Sequence, residues 1–176
     1  LKSLNAHGLL SSHLGEIKTD LIFGFNLKNG IESFFNGKVH TNEFELGKLT
    51  GNATLNKLSF DLFIDLKKHK NQKMGGVVKG DIKQFDYKDY SYEAITLNAE
   101  YNGLKIVGEA TVDDENVFID IDGTFDLSKD RPELDFVAKL KHLRIDKLNL
   151  SQKYNNSFLS LNVNANFKGK TIDDIE

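Results

Sequence analysis

The chain has 176 residues, 39% of them hydrophobic and 28% charged, an ordinary balance for a globular protein and long enough for one domain. A net charge of -3 leaves no basic excess to hold a phosphate backbone, which argues against nucleic-acid binding. Cysteine is absent, so disulfides and thiolate metal sites are excluded while an oxidising compartment is not.

Taken in chain order, the dominant pattern is period-two alternation, the mark of a half-buried strand. Ile17, Leu21, Phe23, Phe25 and Leu27 share one parity, with Lys18, Asp20, Asn26 and Lys28 on the other. Asn29-Gly30 closes that run as a hairpin turn. Weaker alternation follows over residues 31–43. Leu58, Phe60, Leu62, Ile64 and Leu66 then alternate with Ser59, Asp61, Asp65 and Lys67, and residues 69–73 read as an exposed loop. Residues 74–84, with Val78 and Ile82, and 94–101, with Leu97, precede a second turn at Asn102-Gly103. Leu104, Ile106, Ala110 and Val112 run to a turn over residues 113–116, and Val117, Ile119, Ile121, Phe125 and Leu127 run away from it. Pro132 follows Ser128-Lys129-Asp130-Arg131, a further turn. The run over 133–141, with Phe136, and the row Leu159, Leu161, Val163, Ala165 and Phe167 complete the pattern.

No stretch of comparable length shows a 3.6-residue apolar period. The expected fold class is therefore all-β: an elongated, curled antiparallel sheet forming an apolar groove, with little or no helix. It is expected to be a single segment over residues 1–176. The pattern is already under way at Leu1, without an opening Met, so the segment is expected to belong to a longer protein. Residues expected to line the groove are Leu21, Phe23, Phe25, Phe60, Leu62, Ile64, Val78, Ile82, Leu97, Ile106, Ile119, Ile121, Phe125, Phe136, Leu161, Val163 and Phe167.

Two local patterns punctuate the strands. Glycine recurs on the apolar parity, at Gly37, Gly51, Gly80, Gly108 and Gly123, each flanked two residues away by apolar or small side chains. Glycine inside a strand marks a bend, a bulge or a close approach; here it either curves the sheet or thins the lining to leave a groove. Elsewhere apolar residues are spaced two and then three apart, as in Phe44, Leu46, Leu49; Ala53, Leu55, Leu58; Phe85, Tyr87, Tyr90; and Leu143, Ile145, Leu148. A one-residue slip flips every later side chain, so these places are expected to be bulges or corners. Tyr87, Tyr90 and Tyr92 with Phe85 are expected to close one end of the apolar layer.

Chemistry-bearing constellations are sparse. No Ser–His grouping or Gly-x-Ser-x-Gly elbow is present. His7 and His13 lie ~20 Å apart on an extended strand, too far to share a metal. Asp120-x-Asp122-Gly123 lacks the remaining ligands of a calcium loop, and Asp113, Asp114 and Glu115 read as turn acids. The chain is expected to be non-enzymatic, with no cofactor.

The run Val78-Lys79-Gly80-Asp81-Ile82-Lys83-Gln84-Phe85-Asp86-Tyr87-Lys88-Asp89-Tyr90-Ser91-Tyr92 continues into Ile95-Thr96-Leu97-Asn98-Ala99-Glu100-Tyr101. Ile119-Asp120-Ile121-Asp122-Gly123 and Leu143-Arg144-Ile145-Asp146-Lys147-Leu148-Asn149-Leu150 follow. From about Leu49 to Glu176 this texture resembles the β-rich body of the TamB (translocation and assembly module) family, in the AsmA-like superfamily of Gram-negative bacteria. The resemblance implies a periplasmic bridge in a protein anchored to the inner membrane. It also implies a trough that shields phospholipid acyl chains during inter-membrane transport, and an Omp85-type outer-membrane barrel as partner. Other readings of the same alternation are an assembly scaffold that adds strands to client barrel proteins, a closed lipocalin-like carrier of a small ligand, and a membrane barrel.

Overall fold

The computed structural model describes residues 2–25, 30–149 and 158–168; Asn26, Leu27, Lys28, Asn29 and Leu150, named above, lie outside them. Ten strands follow one another: β1 Lys2–Ser12, β2 Gly15–Phe25, β3 Ile31–Glu45, β4 Leu55–His69, β5 Met74–Tyr87, β6 Tyr90–Asn102, β7 Lys105–Asp114, β8 Val117–Asp126, β9 Glu133–Arg144 and β10 Phe158–Lys168. Between β3 and β4 sits one short helix, α1 Leu46–Thr50. The strands form a single antiparallel meander in sequence order, and the sheet is not closed, because β1 and β10 are not neighbours. The hydrogen-bonded closure that a lipocalin-like carrier requires is therefore missing among the described residues.

Short turns set the meander. His13-Leu14, Lys88-Asp89, Gly103-Leu104 and Glu115-Asn116 are two-residue connections, fixed by the pairs Ser12↔Gly15, Tyr87↔Tyr90, Asn102↔Lys105 and Asp114↔Val117. Lys88 and Asp89 both take positive φ, 50° and 61°, the backbone that a tight hairpin with native twist demands. The turns alternate between two lips of the sheet. One lip carries residues 13–14, α1, 88–89, 115–116 and 145–149; the other carries 30, 70–73, 103–104 and 127–132.

Each two-then-three apolar spacing coincides with an irregularity. The register shifts between Thr41 and Phe44, where Glu43 takes φ 51°, and again between Leu55 and Leu58. Phe85-Tyr87-Tyr90 spans the β5–β6 turn, and Leu143-Ile145-Leu148 runs from β9 into its following turn. One glycine departs from the sequence expectation: Gly51 does not lie inside a strand but closes α1, its N–H donating to the Gly47 carbonyl. Leu46 to Thr50 coil rather than extend, and Glu45, before the helix, returns to the β1–β2 turn by donating its N–H to Leu14 O at 2.7 Å.

Burial is thin, as a single layer dictates. Among the described hydrophobic residues only Val117, Leu148 and Ala99 are buried. The chain exposes 11729 Å², against about 8,700 Å² expected for a compact monomer of this mass.

Candidate apolar trough

Residues directly opposite on antiparallel strands point to the same face, so the register assembles the lining row by row. The first row runs Leu10, Ile17, Thr41, Phe60, Ile82, Ile95, Val112, Ile119, Leu140, Leu161. The second runs Gly8, Thr19, Val39, Leu62, Gly80, Leu97, Ala110, Ile121, Ala138, Val163. The third runs Ala6, Leu21, Gly37, Ile64, Val78, Ala99, Gly108, Gly123, Phe136, Ala165. The fourth runs Leu4, Phe23, Phe35, Leu66, Gly76, Tyr101, Ile106, Phe125, Leu134, Phe167. No charged side chain stands in any of the four. At ~4.8 Å between strands, each row spans about 43 Å.

Every residue expected to line the groove falls on this face. All but Phe25 lie within the four rows, and Phe25 stands just beyond Phe23 at the rim, opposite Ser33. Phe35, Tyr101 and Leu134 join them and were missed, although their parity within β3, β6 and β9 marks them. Aromatic rings gather along the fourth row: Phe23 stacks on Phe35 at 6.2 Å, Phe25 meets both edge-on, and Phe125 stacks on Phe136 at 5.8 Å.

This face is neither sealed nor fully wet. Val39, Val78, Val112 and Val163 on it are half-buried; on the opposite face Val77 is half-buried too, while Val107 and Val137 are 42% and 55% exposed. At the β1 and β10 edges the cover thins, leaving Leu4, Leu10 and Leu161 exposed.

The opposite face is ionic. Asp61 accepts from Lys83 and pairs with His40, contacts that hold its carboxyl below the usual range. His7 meets Asp20 at 2.9 Å, and Lys168 meets Glu133 at 2.6 Å. Asp120 and Asp122 lie here too, with Asp120 accepting from Thr111 at 3.1 Å. Depressions also lie on this face, one of about 610 Å³ between Lys38, His40, Asp61, Phe63, Lys79 and Asp81.

One lip is plugged. Tyr90 and Tyr92 pack edge-on at 4.8 Å, and Phe85 stacks on Tyr87 at 6.4 Å. Beneath them Asp114, 7% exposed, accepts from the Tyr90 hydroxyl, from Glu93 N at 3.0 Å and from Asn116 N at 2.9 Å. Val117 and Leu148, each 1% exposed, fill the same corner, and Asn149 ties it to the β5–β6 turn by donating to Asp89 O at 3.2 Å. Burial first, and then the Asp114 bond, push the Tyr90 phenol up to about 12; burial and the Asp114 charge also raise Tyr92.

No family model, curated protein or solved structure matches this chain.

Proposed function

We propose that this chain shields the acyl chains of a lipid in its apolar trough, without turnover, as one segment of a periplasmic inter-membrane conduit of the kind its sequence texture resembles. The observation that carries this reading is the set of four uncharged rows crossing all ten strands and left only half-covered. One leaflet's share of a bilayer core is ~15 Å, so an extended acyl chain fits within a ~43 Å row. Fifteen methylenes taken out of water are worth ~12 kcal/mol, a gain that apolar contact along the row would supply. An acid set in that row would stand unpaired beside the chain at a penalty of several kcal/mol.

The expected result is that purified protein carries phospholipid, seen by native mass spectrometry and by organic extraction. Ile121→Asp, between Ala110 and Ala138 in the second row, should remove most of it while leaving the sheet folded by circular dichroism. Protein that is consistently lipid-free and takes up no lipid from vesicles would end this reading.

A second reading is favoured by the edges. β1 and β10 each pair on one side only among the described residues, and their charged-face positions are chiefly Ser and Asn: Ser3, Asn5 and Ser11 on β1, and Ser160, Asn162, Asn164 and Asn166 on β10. Interior strands carry Lys, Asp and Glu there. Edges poor in charge and free of proline accept further strands, so β1 or β10 would template a client barrel strand by augmentation. Proline at edge positions whose N–H groups face outward should abolish crosslinking to unfolded barrel substrates and spare lipid retention. If such prolines leave substrate capture intact, augmentation is ruled out.

A further inference from the structure

At the other lip, the charged face holds a depression of about 560 Å³ beside the β4–β5 and β6–β7 turns. Its floor follows from one residue. Gly75 stands between Lys67 on β4 and Asn102 on β6, so the row loses a side chain where its neighbours have long ones. Lys105 follows Asn102 on the next strand. Lys73 leans in from the β4–β5 turn with its stem against the β6–β7 turn; a Cβ added to Gly103 would stand 3.1 Å from Lys73 Cβ. The lining therefore brings Lys67, His69, Lys73 and Lys105 around one hollow against a single acid, Glu100.

These cations are poorly neutralised by the protein. Lys67 meets Asp65 at 3.4 Å across an exposed pair, worth little in water. Lys73 and Lys105 make no ion pair among the described residues. Asp126, opposite Lys105 on β8, is already engaged by the Ser128 hydroxyl and amide and lies 3.7 Å from Lys129. Flexible ammonium groups act as point charges suited to phosphate rather than as a planar fork for one carboxylate.

We propose that this hollow is an oxyanion site that takes a phosphate or phosphate-ester group, held by Lys67, Lys73 and Lys105 over the bare backbone of Gly75. The site lies on the face opposite the trough and does not depend on acyl-chain binding. Two sources present this chemistry, a soluble phosphate ester and a phospholipid headgroup reaching over the lip past Leu104, which is 51% exposed.

The test is an amide chemical-shift titration of the full chain with inorganic phosphate, with sodium chloride at matched ionic strength as reference. Saturable shifts at Lys73, Gly75, Gly76 and Gly103 are expected with phosphate and not with chloride. The Lys73→Gln/Lys105→Gln pair should weaken binding about tenfold or more, since it removes two of the three lysine charges that face the anion at close range. Glu100→Gln should tighten it several-fold by removing the opposing charge. Lys48→Gln, on α1 at the other lip, should change nothing. Glycerol phosphate and short-chain phosphatidylglycerol separate the sources: tighter binding of the lipid assigns the headgroup, equal binding assigns the soluble ester, and both outcomes support the site. Equal shifts with chloride and phosphate, or equal weakening by Lys48→Gln and the double variant, would overturn it. Neither result bears on lipid retention in the trough.

Discussion

Gly80→Ala is expected to lower the free energy of unfolding by about 3 kcal/mol or more, a large effect for one methyl group. The position lies in the middle of the second row, between Leu62 and Leu97. Its φ of +143° is backbone that L side chains rarely adopt. A Cβ there would also collide with the Asp61 carbonyl oxygen and stand 3.0 Å from Leu62 Cα. The obstacle is a neighbouring strand's backbone, which cannot move aside without breaking the ladder, so strain and clash add. Gly8 lies in the same row on β1 and supplies the internal control. A Cβ there would meet nothing closer than Thr19 Oγ1 at 3.8 Å, and Gly8→Ala should be neutral or stabilising by about 0.5 kcal/mol through reduced unfolded-chain entropy. Urea melts of the two variants measure the difference directly. A Gly80→Ala midpoint within error of the parent would mean that the strand does not need this conformation to bend.

The contrast between those two glycines shows what sequence can and cannot reveal. Both have apolar parity and both lie inside a strand, yet only one is conformationally obligatory. The distinction depends on how closely the next strand approaches, a consequence of sheet curvature that no local pattern encodes. The alternation itself was fully legible, because a period of two fixes the face of each side chain once the strand is granted. Hence Leu21, Ile64, Val78 and Phe136, read from separate segments, meet in one row. The short helix escaped notice because Leu46-Gly47-Lys48-Leu49-Thr50 has neither the length nor the caps that announce a helix. The Lys67–Lys105 hollow was equally hidden, since its residues come from four strands and a turn, and the hollow exists only through the missing side chain of Gly75.

Asp114 is the most instructive omission. Acidic residues at 113–115 read as turn acids, and for Asp113 and Glu115, both exposed, nothing more was needed. Parity held the missing signal: positions 106, 108, 110 and 112 of β7 face the apolar side, and 114 continues their series. An acid on that parity must find partners or destabilise the sheet. It finds them in the tyrosine corner. The charge that the four rows exclude is thus admitted at that corner, where three donors converge on it.

Asp114→Ala is accordingly expected to destabilise the protein by about 3 kcal/mol, because the Tyr90 hydroxyl and the Glu93 and Asn116 amides are left without their acceptor in a part-buried corner. Tyr90→Phe should cost less, about 1–2 kcal/mol, since the carboxylate keeps both amide donors. The same corner sets an alkaline limit. The Tyr90 phenol is raised to about 12 in the folded chain, above the ~10 of an unfolded tyrosine. The fold therefore favours the neutral phenol. Its contribution is complete below about pH 10 and is lost as pH rises toward 12, where the folded chain too must ionise. Urea melts across that window should show stability falling in the parent, and ultraviolet tyrosinate absorbance should show two phenols, Tyr90 and Tyr92, ionising late. In Tyr90→Phe the fall should be shallower and one late phenol should be lost. An unchanged alkaline slope in that variant would show that Asp114 and Tyr90 do not act together, and the corner would then hold by Val117 and Leu148 packing alone.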